Sequence, residues 1–164
     1  MSISMSIRSV LQGWLGREKD SAQVSIWNET RGTLLADAAD LADSGESRRR
    51  GLLKHDSLSP GQGLWIVPCE SVHSCGMKFE IDLVYLDRKM RVRKLRRSMP
   101  PWRMSICLTA QSVLELPAGT IASTGTQTGD QLTATVKSER TDVSVVICLT
   151  PGGMYEAKST RLSA

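Results

Sequence analysis

The sequence predicts a mostly β fold: a compact antiparallel jelly-roll-like sandwich or barrel with one or two short helices. Three observations carry this. Short apolar segments recur along the chain, separated by polar, turn-forming stretches. Only brief pieces show helical spacing, and no internal repeat points to a solenoid or propeller. Phe, Trp and Tyr make up only 4% of the 164 residues, so a core must rest on Leu, Ile, Val and Met.

Residues 6–18 read as an amphipathic helix: Ile7, Val10, Leu11, Trp14 and Leu15 fall at helical spacing, with Ser6 as a cap. With the linker after it, this helix forms an appendage, residues 1–23, to a single β domain over 24–149. Val24 and Ile26 alternate with polar neighbours, residues 28–32 read as a turn, and residues 33–36 as the returning strand. Residues 38–53 have helical composition, with Ser44 as the cap. Residues 56–63 form a loop, and residues 64–67 a strand stopped by Pro68. Residues 81–86 are a near-continuous apolar strand containing Asp82, followed by a turn at 87–89 and a strand holding Val92 and Leu95. Residues 112–116 form a strand ended by Pro117, and residues 118–125 a helical turn or two. Residues 132–136 and 143–149 pair as a hairpin. Residues 150–164 lack apolar periodicity and read as a flexible tail.

The net charge of +4 is unevenly placed. Residues 88–103 hold eight cations and no acid, and taking those eight from +4 leaves the rest of the chain at −4. Arg91, Arg93, Arg96 and Arg97 are therefore the candidates for binding a polyanion, nucleic acid or anionic lipid. A solvated edge strand guarded by charge is the simpler reading, and nucleic acid is not the favoured partner. No apolar run approaches the roughly 20 residues of a membrane helix. The first 20 residues lack a secretory h-region. A cytoplasmic protein with reduced cysteines is expected, although a Cys69–Cys75 bridge fits the spacing.

An ordered series of motifs is more specific than periodicity. It runs from Arg48-Arg49-Arg50-Gly51-Leu52-Leu53 through Gly63-Leu64 to Pro68-Cys69-Glu70-Ser71-Val72-His73-Ser74. Met77-Lys78-Phe79-Glu80-Ile81-Asp82-Leu83-Val84-Tyr85-Leu86-Asp87, Pro101-Trp102-Arg103, Val113-Leu114-Glu115-Leu116-Pro117-Ala118-Gly119-Thr120 and Gly129-Asp130 follow. This series resembles the bacterial and archaeal family known as domain of unknown function 192, over about residues 24–133. The resemblance implies a compact, mostly β domain and no particular activity. Relatives often place Gly in the turn after the Asp87-like position, where this chain has Met90; a positive φ there costs about 1 kcal/mol.

The densest polar cluster is Cys69, Glu70, Ser71, His73, Ser74 and Cys75. Three readings stay open: a zinc site on Cys69, His73 and Cys75; a Cys nucleophile with His73 as base; and loop-stabilising hydrogen bonds with the thiols as small hydrophobes. Arg48 and Arg50 either pair with Asp82, which needs a partner if buried, or clamp an anion together with His73 and Lys78. The ligand-binding candidates are thus Arg48, Arg50, Cys69, Ser71, His73, Lys78 and Asp82. No catalytic constellation, metal site or cofactor motif stands out. The expectation is a non-enzymatic binding or accessory domain, with a small anionic ligand or a protein as partner. A small enzyme or anion-binding protein centred on His73 and Arg50 is the alternative.

Overall fold

The computed structural model describes residues 23–53, 55–136, 143–149 and 155–161; for Arg49, Arg50 and the last two stretches it describes the backbone only. The helix expected over residues 6–18 lies outside these. In chain order the elements are β1 (Gln23–Asn28), β2 (Thr33–Ala42), α1 (Gly45–Arg50), β3 (Gln62–Ile66), β4 (Ser71–His73), β5 (Ile81–Leu86) and β6 (Val92–Met99). β7 (Met104–Ile106), β8 (Ser112–Pro117), α2 (Thr120–Thr124), β9 (Leu132–Val136), β10 (Val143–Leu149) and β11 (Tyr155–Arg161) complete them.

Nine strands form one sheet in the order β11-β10-β9-β1-β2-β3-β8-β5-β6, and β4 and β7 form a separate two-stranded ribbon. All pairings are antiparallel except β2 with β3. The sheet curls so that the start of its edge strand β6 meets the start of β9. Arg91 bridges Gln131, Val92 N–H donates to Asp130 O at 2.9 Å, and Leu132 N–H donates to Met90 O at 2.9 Å. A buried polar knot sits at this seam. The Asp130 carboxylate accepts from Asn28 Nδ2 at 3.0 Å, Arg31 Nε at 3.0 Å and Gln127 N–H at 2.9 Å. Burial alone would raise the Asp130 carboxyl, but these bonds outweigh it and hold it below the ordinary carboxylate range.

Apolar side chains pack on both faces of the central strands. Inside the curl lie Ile26, Trp65, Val84, Leu86, Leu114, Leu116, Ile121 and Leu132. On the other face Leu52, Leu64, Ile66, Val72, Met77, Leu83, Tyr85 and Met99 form a second core. Strand β5 is therefore buried at every position, which is why it reads as a continuous apolar run rather than an alternating one.

Asp82 lies in that run, and among the described residues no arginine side chain bonds its carboxylate. Its carboxylate accepts from Ser98 N–H and Ile121 N–H, both at 2.8 Å. Two backbone amides thus stand where a pairing with Arg48 is expected; Arg48 bonds Asp43 O and Val67 O instead, and the Arg50 side chain lies outside the described residues. One amide comes from the first turn of α2. The other comes from a bulge in β6, where the register with β5 shifts and Ser98 takes φ 44°.

Several elements depart from expectation. Residues 38–42 belong to β2, all paired with β3 and Ala39 and Asp40 with β1 as well, so the sheet overrides the helical preference of their alanines. The helix is only α1, capped by Ser44, whose Oγ accepts from Ser47 N–H at 3.1 Å while Ser44 N–H donates to Ser47 Oγ at 3.1 Å. Residues 155–161 line up along β10 as β11, where a tail is expected; an edge strand needs only backbone bonds and shows no apolar period. The three-residue strands β4 and β7 are too short to leave a periodic signal. Met90 has φ 61° and is 3% exposed, so its strain is offset by side-chain burial. The turn is held by Asp87 Oδ1, which accepts from Lys89 N–H at 2.8 Å and Arg91 N–H at 3.1 Å.

Replacing Asp82 with Ala strands the buried Ile121 amide and frees the part-buried Ser98 amide, and the domain should lose about 2 kcal/mol of stability. Urea unfolding of Asp82→Ala measures this; an unchanged midpoint means that the carboxylate does not hold the bulge and α2 together.

Candidate functional site

A cavity of about 720 Å³ opens on the outer face of β3 and β8, under α1 and the turn after it and beside β4. Its apolar wall is Leu52, Leu53, Ile66, Val72 and Met77, and its polar lining is Arg48, Cys69, Glu70, Ser71, His73 and Glu115. The lining is nearly evenly divided between apolar and polar groups, so the cavity is more polar than the usual small-molecule site.

Each polar group has a clear structural support. Helix α1 carries Arg48 over the cavity, where Nη1 donates to Asp43 O at 2.9 Å and to Val67 O at 3.3 Å. Cys69 is tied to the loop by its N–H, which donates to Gln111 O at 2.9 Å, and by its Sγ, which donates to Ser71 O at 3.1 Å. Burial pushes the Cys69 thiol up, so it stays protonated at neutral pH and is a poor nucleophile. Ser71 and His73 project outward from β4, opposite Ile106 and Met104 of β7.

Glu115 forms the floor. It sits in the middle of β8, between Leu64 of β3 and Leu83 of β5, and is 4% exposed. Gly63 allows the strands to approach this closely; a Cβ there would lie 2.9 Å from Glu115 O. Among the described residues, no side chain or backbone group donates a hydrogen bond to the Glu115 carboxyl. Burial alone pushes it up to about 8. Tyr85, one strand over, feels the Glu115 charge and lies chiefly under the influence of burial, which pushes its phenol up to about 12. The Tyr85 hydroxyl is buried without a hydrogen bond, with the Ser105 hydroxyl alongside but outside bonding geometry.

The structure therefore brings together Arg48, Cys69, Ser71 and His73. It separates Lys78, which is exposed and pairs with Asp56 at 2.6 Å, and Asp82, whose carboxylate is engaged by α2 and β6 rather than by the cavity. The Arg50 side chain lies outside the described residues. Ser74 takes the loop-stabilising role: Oγ donates to Pro100 O at 2.8 Å and accepts from Arg103 N–H at 2.9 Å. Cys69, Cys75 and Cys107 are free thiols. Among the described residues, no group of three or more His, Cys, Asp or Glu side chains could hold a metal ion. Arg91, Arg93, Arg96 and Arg97 are exposed to solvent, away from the cavity. Sequence reasoning overlooked Glu115 as a site residue. Its signal was the one that flagged Asp82, an acid inside an apolar strand.

The raised Glu115 makes a signed prediction. A folded state that holds this proton more tightly than the unfolded chain is favoured at low pH, and its advantage is lost as pH rises. Between the ordinary value of 4.5 and about 8, stability should fall by about 1 kcal/mol per pH unit from this group. Denaturant unfolding across that range should show the slope, and Glu115→Gln should flatten it. Equal slopes in both proteins contradict a buried, unpartnered carboxyl.

The comparisons place the chain among proteins of undefined role. Residues 26–134 match the family model DUF192, described as Uncharacterized ACR. A UPF0127 protein of Thermococcus sibiricus is 29% identical over 140 residues, covering 81% of this chain and 90% of the relative. A UPF0127 protein of Thermococcus kodakarensis is 30% identical over 133 residues, covering 77% and 83%. Among solved structures, a protein of unknown function from Novosphingobium aromaticivorans superposes with a TM-score of 0.59 at 17% identity, covering 67% of this chain and 82% of that one. A proposed transcription regulator from Sinorhizobium meliloti superposes with a TM-score of 0.60 at 21% identity, covering 70% and 96%. At these identities the two structures speak for the fold alone. The motif series, the fold and the match over two-thirds of the chain agree: this protein belongs to the DUF192 family, whose members have no assigned function.

Proposed function

We propose that the domain binds a small amphiphilic molecule carrying a carbonyl or carboxylate head, and that binding rather than covalent chemistry is its task. The observation that carries this reading is Glu115, a buried carboxyl at the floor of an open cavity with no donor of its own among the described residues. Such a group lowers the stability of the free protein. A ligand that supplies the missing partner recovers that loss.

The head group follows from protonation. A carboxyl raised to about 8 is mostly neutral at pH 7, so it can donate its proton to a carbonyl or carboxylate oxygen. Arg48 lines the same cavity and adds positive potential toward an anionic head. Leu52, Leu53, Ile66, Val72 and Met77 suit an apolar body. Against nucleophilic catalysis stands Cys69, whose raised thiol donates to a backbone carbonyl rather than to His73.

Thermal unfolding with short alkyl carboxylates, and with alkylamines of matched length, tests the reading. The carboxylates should raise Tm and the amines should not. Glu115→Leu should raise the Tm of the free protein by a few degrees and abolish the shift caused by carboxylates. Preferential stabilisation by amines, or a full carboxylate shift in Glu115→Leu, overturns it.

A further inference from the structure

The most exposed large apolar side chains of the described residues lie on one ridge. Trp102 is 68% exposed, Met104 76%, Ile106 50% and Leu108 74%. They lie in and beside β7, a strand that turns its polar Ser105 inward and its apolar neighbours out. That is the reverse of what a solvent-facing ribbon does, so water is not the environment this ridge fits.

The ridge is built firmly. Ser74, fully buried, fastens its start: Ser74 N–H donates to Arg103 O at 2.8 Å, Trp102 N–H donates to Ser74 O at 3.0 Å, and Ser74 Oγ bonds both sides of the turn. These bonds hold Trp102 at φ 61°, a strained setting for an aromatic residue. The indole is thus displayed on an ordered turn.

The flanks are cationic. Lys94 reaches from β6 to the ridge, its Nζ donating to Ile106 O at 2.8 Å. Arg103 lies between Trp102 and Met104, and its Nη1 donates to Trp102 O at 3.1 Å. Arg93, Arg96 and Arg97 are exposed on the same edge strand as Lys94. The neighbouring acid is Glu70, whose backbone carbonyl accepts from Cys107 N–H at 2.8 Å.

We infer that this ridge and its cationic flank form a docking surface for an anionic lipid bilayer. Protruding apolar side chains around a tryptophan enter the acyl boundary, while arginines and lysine beside them meet lipid phosphates. The charge complementarity decides between occupants. A second copy would bring a like-charged face against this one. A nucleic acid would match the cations and leave Met104, Ile106 and Leu108 without a counterpart, with a single indole for stacking.

The test is co-sedimentation of the full chain with vesicles of phosphatidylcholine, alone or mixed with phosphatidylglycerol. Binding is expected only with the anionic lipid, and high salt should weaken it. Trp102→Asn with Leu108→Ser keeps the backbone turn, since Asn tolerates positive φ, and should weaken binding about tenfold. Arg93→Ser with Arg96→Ser and Arg97→Ser should weaken it at least as much. Absence of binding to anionic vesicles overturns the inference. So does equal binding by the Trp102/Leu108 variant, which marks a purely electrostatic polyanion site. Self-association of the free chain that Trp102→Asn abolishes overturns it in favour of a second copy.

Discussion

Burial on both faces of β3, β8 and β5 is the constraint on which the rest of this structure depends. Side chains within strands enclosed this way have little access to water, so each polar one needs a partner supplied by the fold or by what enters the cavity. Asp82 finds two backbone amides and in doing so fastens a bulge in β6 to the start of α2. At the seam of the curl, Asp130 finds three donors, and the meeting of β6 with residues 129–132 depends on that knot. Glu115 meets the same constraint in β8 and finds no donor among the described residues. Two acids thus close the fold, while the third faces a cavity.

The cavity and the exposed ridge share one structural element. Ser71 and His73 of β4 line the cavity, and their cross-strand partners in β7, Ile106 and Met104, belong to the ridge. A molecule held above Glu115 therefore lies next to the face that we assign to an anionic bilayer. The basic stretch, set apart by its charge alone in the sequence, gains a neighbour of complementary character: Lys94 ties it to the ribbon through Ile106 O.

Much of the fold was legible because its strands carry strong local signals. The apolar run over residues 81–86 coincides with β5, and the Ser44 cap and the turn at 28–32 stand where expected. The alanine-rich half of β2 was misread because its place is set by pairing with β3 and in part with β1, a property of the sheet and not of the segment. The ribbon β4–β7 was invisible because three-residue strands have no period. Of the residues lining the cavity, Cys69, Ser71 and His73 stand out in the sequence because they cluster there, and Arg48 through its place in the motif series. Glu115 does not, because its neighbours in the cavity come from α1, β3 and the β3–β4 loop, all distant along the chain. Asp82 was rightly judged to need a partner, and the partner proved to be backbone, which leaves no trace in residue identity.

The central claim is that Glu115 is a buried carboxyl with no hydrogen-bond partner among the described residues. The most direct measurement is an NMR titration of its side-chain carboxyl carbon in the free protein, assigned by comparison with Glu115→Gln. The account requires a midpoint near 8. A midpoint at the ordinary glutamate value of 4.5 would mean that water or a charged partner already serves the group, and would contradict the account.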